Sequence, residues 1–318
     1  MKLIKGLKLS REFYLFIFII LIVFAITVFS EGFLNIANIE HILLNVTYIV
    51  VAAIGMNLII LTGNIDVSFG SILAVVALAM GNMAVSGISA WIYVPVALVI
   101  GTLLGALNGF IVAYGKVPAI ITTLGMNQLL RGAILLITGG RWVANLPASF
   151  RNIGGGRLFS VPIPIIVTIV VVLAAIWFMK HTPYCRSIYA VGSNRSAAEL
   201  AGINSKGVIL GVYAIAGLLI GISTVIYTTR FTSVQNNVGI GFEMMCISAV
   251  VIGGTSITGG SGRIQGTVLG ALLAAILTTG LVFLRISTFW MQMVLGALII
   301  LAVLSSSMHS KREKETVS

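Results

Sequence analysis

The chain has 318 residues, of which 58% are hydrophobic and 8% are charged, and its formal net charge is +11. Soluble domains carry roughly 25% charged residues. A chain this poor in charge cannot cover a surface in water, so a soluble globular protein is excluded. The basic residues lie in short loops and in both tails, which points to membrane topology and away from nucleic-acid binding.

Cysteine and histidine usage predicts neither a disulfide framework nor a metal site. Cys185 and Cys246 are too few for a framework, and no CxxC pair exists. The histidines His41, His181 and His309 are scattered along the chain. A membrane enzyme would need a clustered set of His, Asp, Glu or Cys near the interface. We therefore expect no catalytic residue, no metal and no cofactor.

Ten apolar segments predict transmembrane helices, because a helix needs about 20 apolar residues to cross a hydrocarbon core of ~30 Å. In chain order they are Tyr14–Phe29, Leu43–Leu61, Gly70–Val85, Trp91–Tyr114, Pro118–Ile137, Val161–Met179, Val208–Tyr227, Met244–Ile252, Ile264–Leu284 and Trp290–Leu304. The eighth is too short to cross alone, so it either extends over Ile240–Met245 or forms a broken or re-entrant helix. We interpret the first as a retained helix that also signals insertion. The predicted fold class is all-α, a single polytopic membrane domain of about ten helices.

Positive charges favour the cytoplasmic side of short loops. With the N-terminus inside, thirteen basic residues are cytoplasmic and five are external. An even number of helices then places both tails, residues 1–13 and 305–318, in the cytoplasm together with loop 180–207. The segment Gly139–Ser160 is external in this topology. Its three arginines fit the rule poorly, so we expect an ordered segment with a function of its own.

The first glycine-rich break, LTGNIDVSFGS at Leu61–Ser71, contains Asp66, the only aspartate of the chain. An acid at membrane depth is costly and is a functional candidate. Broken backbone is tolerated there only where it lines a cavity or packs against protein. Two roles stay open: Asp66 caps the helix that starts near Ser68, or it belongs to a gate or path.

Amide side chains inside apolar spans suit a neutral polyol, since amides both donate and accept hydrogen bonds. The residues assigned to a translocation path or gate are Asn64, Asp66, Ser68, Asn108, Asn127 and Gln128. Interhelical hydrogen bonding is the alternative role for each amide. Arg131, one turn after Asn127, must pair with an acid or with backbone carbonyls, and Glu40 and Glu243 are candidate partners.

A second glycine-rich break, IGGTSITGGSGRIQG, spans Ile252–Gly266. A nucleotide-binding P-loop needs a lysine after its last glycine. No lysine lies in the segment, so it is either a site of close helix packing or an element that takes part in coupling. GTLLGALNG at Gly101–Gly109 resembles GTVLGALLA at Gly266–Ala274, which indicates either an inverted repeat or small-residue helix packing.

Loop 180–207 contains signals for a short helix. Ser193 and Asn194 can cap a helix over Arg195–Ala201, and Gly202 can end it. A loop that only connects two spans does not need such a helix. Its small and apolar residues could bury one face in a groove of a partner.

These motifs, in this order, resemble the permeases of bacterial carbohydrate ABC importers of the ribose, xylose and galactose type. The resemblance covers the chain from about Leu43 to Leu304. It rests on TGNIDVSFGS, GALNGFIVAYGKVPAIITTLGM (Gly105–Met126), TGGRWV (Thr138–Val143), YAVGSNRSAAELAGI (Tyr189–Ile203) and VIGGTSITGGSGRIQGTVLGAL (Val251–Leu272). Where that family usually has GGIDLSVG, this chain has Asn64 in place of the second glycine. With TGGRWVANLP and GIGFEM, it is most similar to the autoinducer-2 and rhamnose branch.

The resemblance implies a cytoplasmic ABC ATPase, an extracytoplasmic solute-binding protein and a second permease subunit, identical or paralogous. It also implies that the capped helix docks on the ATPase. The implied docking residues are Asn194, Ala197, Ala198, Glu199, Leu200, Ala201 and Gly202.

The expected function is that of an importer permease, not an enzyme, in the bacterial inner membrane. Its expected solute is a monosaccharide or a sugar-like molecule such as a ribose-type sugar, rhamnose or autoinducer-2. The alternative is an ion-coupled secondary transporter of a small polar solute, which would need intramembrane carboxylates. The chain has one aspartate and few glutamates, mostly in loops, which favours the importer.

Overall fold

The computed structural model describes residues 11–287 together with 290, 293, 296 and 297. This part of the chain forms twelve helices and one two-stranded hairpin. The helices are α1 Arg11–Phe29, α2 Ile36–Leu61, α3 Phe69–Val85, α4 Ala90–Tyr114, α5 Ala119–Thr138, α6 Ala148–Gly155, α7 Ile163–His181, α8 Pro183–Ser193, α9 Arg195–Leu200, α10 Ser205–Thr228, α11 Phe242–Ile252 and α12 Ile264–Phe283. The strands β1 Arg157–Leu158 and β2 Val161–Pro162 pair antiparallel, with Leu158 opposite Val161.

Within the described residues, seven helices are long and apolar enough to cross a membrane: α1, α2, α4, α5, α7, α10 and α12. The apolar helices α3 and α11 are shorter, with 17 and 11 residues. Nine of the predicted segments coincide with a helix, so the all-α polytopic fold is confirmed. The tenth, Trp290–Leu304, lies almost wholly outside the described residues, as do residues 1–10 and 305–318. The count of about ten is therefore not confirmed.

Helices α2 and α10 run antiparallel through the centre of the molecule. The Ser223 hydroxyl on α10 donates to the Tyr48 carbonyl on α2 at 2.7 Å. Further along, Gly55 lies so close to Ala216 that a Cβ would be 3.1 Å from its Cα. Almost every side chain of α2 from Ile49 onward is buried. The core is thus built around this helix pair.

The chain passes twice through the same order of helices, a long one, a short one and a long one. The first pass is α2, α3 and α4, and the second is α10, α11 and α12. Helix α3 packs on α4 and α10, and α11 packs correspondingly on α12 and α2. Because α2 and α10 are antiparallel, the second pass is inverted relative to the first, an arrangement found in many transporters.

The two related glycine motifs lie on the third helix of each pass. On α4, a Cβ at Gly105 would be 2.8 Å from the Cα of Gly217 on α10. On α12, a Cβ at Gly270 would be 2.9 Å from the carbonyl carbon of Ala249 on α11. Both glycines permit close backbone contact. The packing role of the motifs is therefore confirmed, and the inverted order of helices agrees with a repeat as well.

The segment Gly139–Ser160 is ordered, as expected. Val143 and Val234 exchange two backbone hydrogen bonds of 3.0 and 2.8 Å, and the Leu146 N–H donates to the Thr232 carbonyl at 3.1 Å. These bonds join the segment to the linker between α10 and α11. Sequence alone gave no indication of this contact.

Candidate functional site

A polar cluster holds the linker between α2 and α3. Asp66 is 1% exposed. Its Oδ1 accepts hydrogen bonds from the Ser68 N–H at 2.7 Å and the Ser68 hydroxyl at 2.6 Å. The Asn108 amide on α4 donates to Asp66 Oδ2 at 3.2 Å and to Ser68 Oγ at 2.8 Å. The structure thus brings together three of the six predicted path residues, and Asp66 binds Ser68, the residue that directly precedes α3.

Helix α5 holds the same linker from another side. The Val67 N–H donates to the Thr123 hydroxyl at 3.1 Å, and that hydroxyl is 2.9 Å from the Ala119 carbonyl. The linker is therefore fastened to both α4 and α5. The position of the start of α3 therefore depends on hydrogen bonds to both helices.

The other three predicted path residues lie apart from this cluster. The Asn64 amide donates back to the Thr62 hydroxyl at 2.9 Å. On α5, Asn127 is half-buried and Gln128 is exposed. Neither side chain makes a hydrogen bond with another described residue. In this conformation the two amides are free to contact a solute or another chain.

Arg131 finds a backbone carbonyl. Its Nη1 donates to the Val238 carbonyl at 2.8 Å, in the linker between α10 and α11. Of the two acids suggested as partners, Glu40 instead pairs with Arg157. Glu243 lies in the first turn of α11 and forms no ion pair with Arg131 among the described residues. Its carboxylate lies against Gly70, so α3, α5 and α11 meet at this point.

The second glycine-rich break contacts the end of α2. The Gly260 N–H donates to the Leu61 carbonyl at 3.0 Å. Deeper inside, the Asn57 amide donates to the hydroxyls of Thr255 and Thr267, both at 2.7 Å. The break therefore joins α2, α11 and α12.

Helix α8 connects this region to α9. The Tyr189 hydroxyl donates to the Gly262 carbonyl at 2.9 Å. Burial raises the pKa of Tyr189, so its hydroxyl keeps the proton that it donates. Gly192 lies against Leu61, where a Cβ would overlap the Leu61 carbonyl oxygen. Cys185 is buried as well, and burial raises the pKa of its thiol.

The capped helix α9 is confirmed. The Asn194 side chain accepts a hydrogen bond from the Ala197 N–H at 3.0 Å, so Asn194 is the cap residue and Ser193 is not. Gly202 has φ +82° and ends the helix in the left-handed region that glycine favours. Leu200 is 91% exposed. An apolar side chain this exposed on a rigid, capped turn suits contact with another protein.

One member of the predicted docking set is misplaced. Ala198 is 5% exposed and packs into the core of its own chain. The prediction that it lies on the partner-facing side is therefore wrong, because only one face of a two-turn helix can be free when the other packs on α8 and α10. The remaining residues of the set, Asn194, Ala197, Glu199, Leu200, Ala201 and Gly202, are exposed.

Among the described residues, no three His, Cys, Asp or Glu side chains lie close enough to hold a metal ion. The arrangement is that of a helical scaffold with two broken segments and one exposed short helix. Its chemistry is hydrogen bonding and packing.

Comparison with known proteins finds membrane transport proteins. Residues 38–303 match a family described as "Branched-chain amino acid transport system / permease component". The chain is 38% identical over 297 residues to the ribose import permease of Haemophilus influenzae, covering 92% of each chain. It is 38% identical over 293 residues to the ribose import permease of Escherichia coli K12, covering 90% of each. It is 33% identical over 302 residues to the autoinducer 2 import system permease of Escherichia coli O9:H4, covering 95% of this chain and 88% of the relative. No solved structure matches the chain.

Proposed function

This chain belongs to the family of ABC importer permease components, and we propose that it carries a neutral, sugar-like solute across the bacterial inner membrane. It is a multi-pass membrane protein and a transport subunit, not an enzyme. The observation that carries the proposal is the 38% identity to a ribose import permease over 92% of both chains. A ribose-type sugar, rhamnose or autoinducer-2 is the solute class that the relatives suggest.

A cytoplasmic ABC ATPase docks on the exposed face of α9. Leu200 and Ala201 offer a small apolar surface on this face, and Ala198 anchors the opposite face in the core. Such a helix can enter a groove of a partner without rearranging. Both termini then lie in the cytoplasm, on the same side as α9.

Movement of α9 has a short route to the centre of the molecule. Gly192, in the last turn of α8 directly before α9, lies against Leu61 at the end of α2. The linker with Asp66 follows Leu61 directly. We assign the Asp66, Ser68 and Asn108 cluster to a gate, because its hydrogen bonds tie α3 to α4 and change when these helices separate.

A second permease subunit, identical or paralogous, covers one face of α5. Gln128 is exposed among apolar side chains such as Ile121 and Leu129. An amide facing lipid would lose its hydrogen bonds. We therefore assign Gln128 and Asn127 to a solute path between two subunits. An extracytoplasmic solute-binding protein delivers the solute to the opposite end of the molecule from α9.

The alternative, an ion-coupled transporter, is distinguished by its energy source. The experiment is uptake of radiolabelled D-ribose and L-rhamnose into proteoliposomes that contain the chain, its ATPase and its binding protein. We expect uptake that requires ATP, persists with ionophores and is lost without the ATPase. Uptake driven by an ion gradient without ATP would overturn the proposal, as would failure of the ATPase to copurify.

Sidedness is tested separately with single cysteines in intact cells. A cysteine at Asn152 should react with an impermeant reagent, and one at Ser310 should be protected. The reverse pattern would overturn the assigned orientation.

A further inference from the structure

The linker between α10 and α11 lines a partly open cavity. Eleven residues between Tyr227 and Ile240 line a space of about 440 Å³, at the end of α10 far from α9. Helix α10 has 24 residues, which places the cavity roughly 36 Å from the start of that helix. Small-molecule sites in proteins occupy about 300–1,000 Å³. The cavity therefore has room for one molecule of monosaccharide size.

The lining is neutral, polar and aromatic. Tyr227 and Phe231 supply rings, and Ser233, Gln235 and Asn237 supply a hydroxyl and two amides. Among the residues that the structure describes, no lysine, arginine, aspartate or glutamate lines the space. The side chains of Ser233, Gln235 and Asn237 make no hydrogen bond with other residues that the structure describes. They are thus available to a ligand.

This chemistry suits a neutral polyol. Hydroxyl groups can exchange hydrogen bonds with amides, while the C–H face of a sugar ring packs on an aromatic ring. A free amino acid carries an ammonium and a carboxylate, and a sugar phosphate carries a dianion. Neither finds a charged partner among the lining residues, and an unpaired charge in a partly enclosed site is costly.

The cavity is held in shape from two sides. Val234 is paired with Val143, and the Thr232 carbonyl accepts from the Leu146 N–H at 3.1 Å. On the side of α5, the Arg131 Nη1 donates a hydrogen bond to the Val238 carbonyl at 2.8 Å. A site that is already shaped spends less of its binding free energy on ordering. The ordered segment Gly139–Ser160 thereby gains a function, that of a brace.

We propose that this cavity is a binding site for one neutral sugar-like solute, occupied on the way to the membrane interior. The inference rests on the proposed function and adds to it a site within the permease itself. Binding is weak enough to release the solute to the path, as conduction requires.

The test is protection of a single cysteine in the purified full-length chain. Ser233→Cys places a thiol in the cavity, while Ser149→Cys places one on exposed α6, outside it. Cys185 and Cys246 are buried and give a low background. The rate of alkylation by an impermeant maleimide is measured with D-ribose, L-rhamnose, L-leucine or D-ribose 5-phosphate. Thr232→Cys is a second reporter if Ser233→Cys does not fold.

We expect D-ribose or L-rhamnose to slow alkylation of Ser233→Cys about threefold at twice its dissociation constant. Ser149→Cys should be unaffected, and Phe231→Ala and Gln235→Ala should abolish the protection. The inference is overturned if neither sugar protects either reporter. It is also overturned if leucine or the phosphate protects as well as the sugars, or if Ser149→Cys is slowed equally.

ATP-dependent uptake by the wild-type protein distinguishes failure of the proposed cavity site from failure of the proposed importer function. Uptake without sugar protection would refute the site and leave the importer function intact. Loss of ATP-dependent uptake in the wild-type assembly would refute the function itself.

Discussion

The linkers that precede the two short helices differ in a way that their shared topology does not predict. The linker between α2 and α3 has seven residues, 62–68, and the one between α10 and α11 has thirteen, 229–241. In the first, the side chain of Asp66 is buried and hydrogen-bonded within its cluster. The second surrounds a cavity and is held mainly through its backbone.

The comparison shows how one helical arrangement supplies two kinds of element. A short linker brings the acid and its donors into contact, so it fastens α3 to α4 and α5. A long linker leaves side chains such as Gln235 and Asn237 unengaged by the described chain, so it can receive a ligand. The first suits a gate and the second suits a solute site.

The largest effect is expected at the short linker. Asp66→Ala removes the acceptor of the Ser68 N–H and hydroxyl, which are buried, and leaves the Asn108 amide with Ser68 Oγ alone. We expect a loss of about 3 kcal/mol in the free energy of unfolding and little residual uptake. Unfolding in detergent, followed by helical circular dichroism, measures the first, and vesicle uptake the second.

Asp66→Asn is the matched control, because it keeps one oxygen for Ser68 and should lose less stability. Wild-type stability in Asp66→Ala would show that the cluster does not fasten the linker.

The next variant tests Arg131, whose hydrogen bond to the Val238 carbonyl holds the linker between α10 and α11. Arg131→Gln shortens the side chain and removes the charged donor to the Val238 carbonyl, with an expected cost of about 2 kcal/mol. Because the cavity loosens, we expect the KM of uptake to rise more than kcat falls. Arg131→Lys should restore part of the effect.

Arg141→Gln, on the exposed part of the same region, serves as the control and should change neither constant. If Arg131→Gln had the KM and kcat of the wild type, Arg131 would not contribute to the shape of the cavity.

A third variant tests helix α9, at the end of the molecule where Gly192 contacts Leu61. Leu200→Asp puts a charge on the exposed face of α9, where we expect ATPase affinity to fall at least tenfold, or about 1.4 kcal/mol. Folding should be unaffected, since the side chain is exposed. Copurification and quantitative binding to the ATPase check this.

Ala198→Asp is the informative contrast, because this position faces the core of the chain. It should reduce the amount of folded permease before any ATPase is added. Intact ATPase binding by Leu200→Asp would move the docking surface elsewhere, with Ile252–Gly266 as the next candidate.

The smallest effect is expected from one side-chain hydrogen bond between linker 229–241 and the segment Gly139–Ser160. The Asn236 amide donates to the Gly140 carbonyl at 2.9 Å. Asn236→Ala should cost about 1 kcal/mol and weaken sugar protection of Ser233→Cys less than twofold. Asn152→Ala, in the same segment Gly139–Ser160, is the control. If Asn236→Ala weakened the protection more than Arg131→Gln does, the Asn236 bond would contribute more to the shape of the cavity than the Arg131 bond.

Local features of the fold were predictable from the sequence. Nine apolar runs gave nine helices, since the length and apolar content of a segment suffice to require a helix in lipid. Asn194 and Gly202 marked the ends of α9, because a cap bond and a left-handed glycine involve only neighbouring residues. Family membership also followed from short motifs in a fixed order.

Contacts between distant residues were not predictable in this way. Arg131 binds a carbonyl 107 positions away, Ala198 turns toward its own core, and Val143 pairs with Val234. Each depends on how whole helices pack, and many packings satisfy the same apolar pattern. The sequence by itself determined which segments are helical, where they break and which family they belong to. Only the tertiary structure decided which polar groups meet and where a cavity remains, because these depend on distances between elements far apart in the chain.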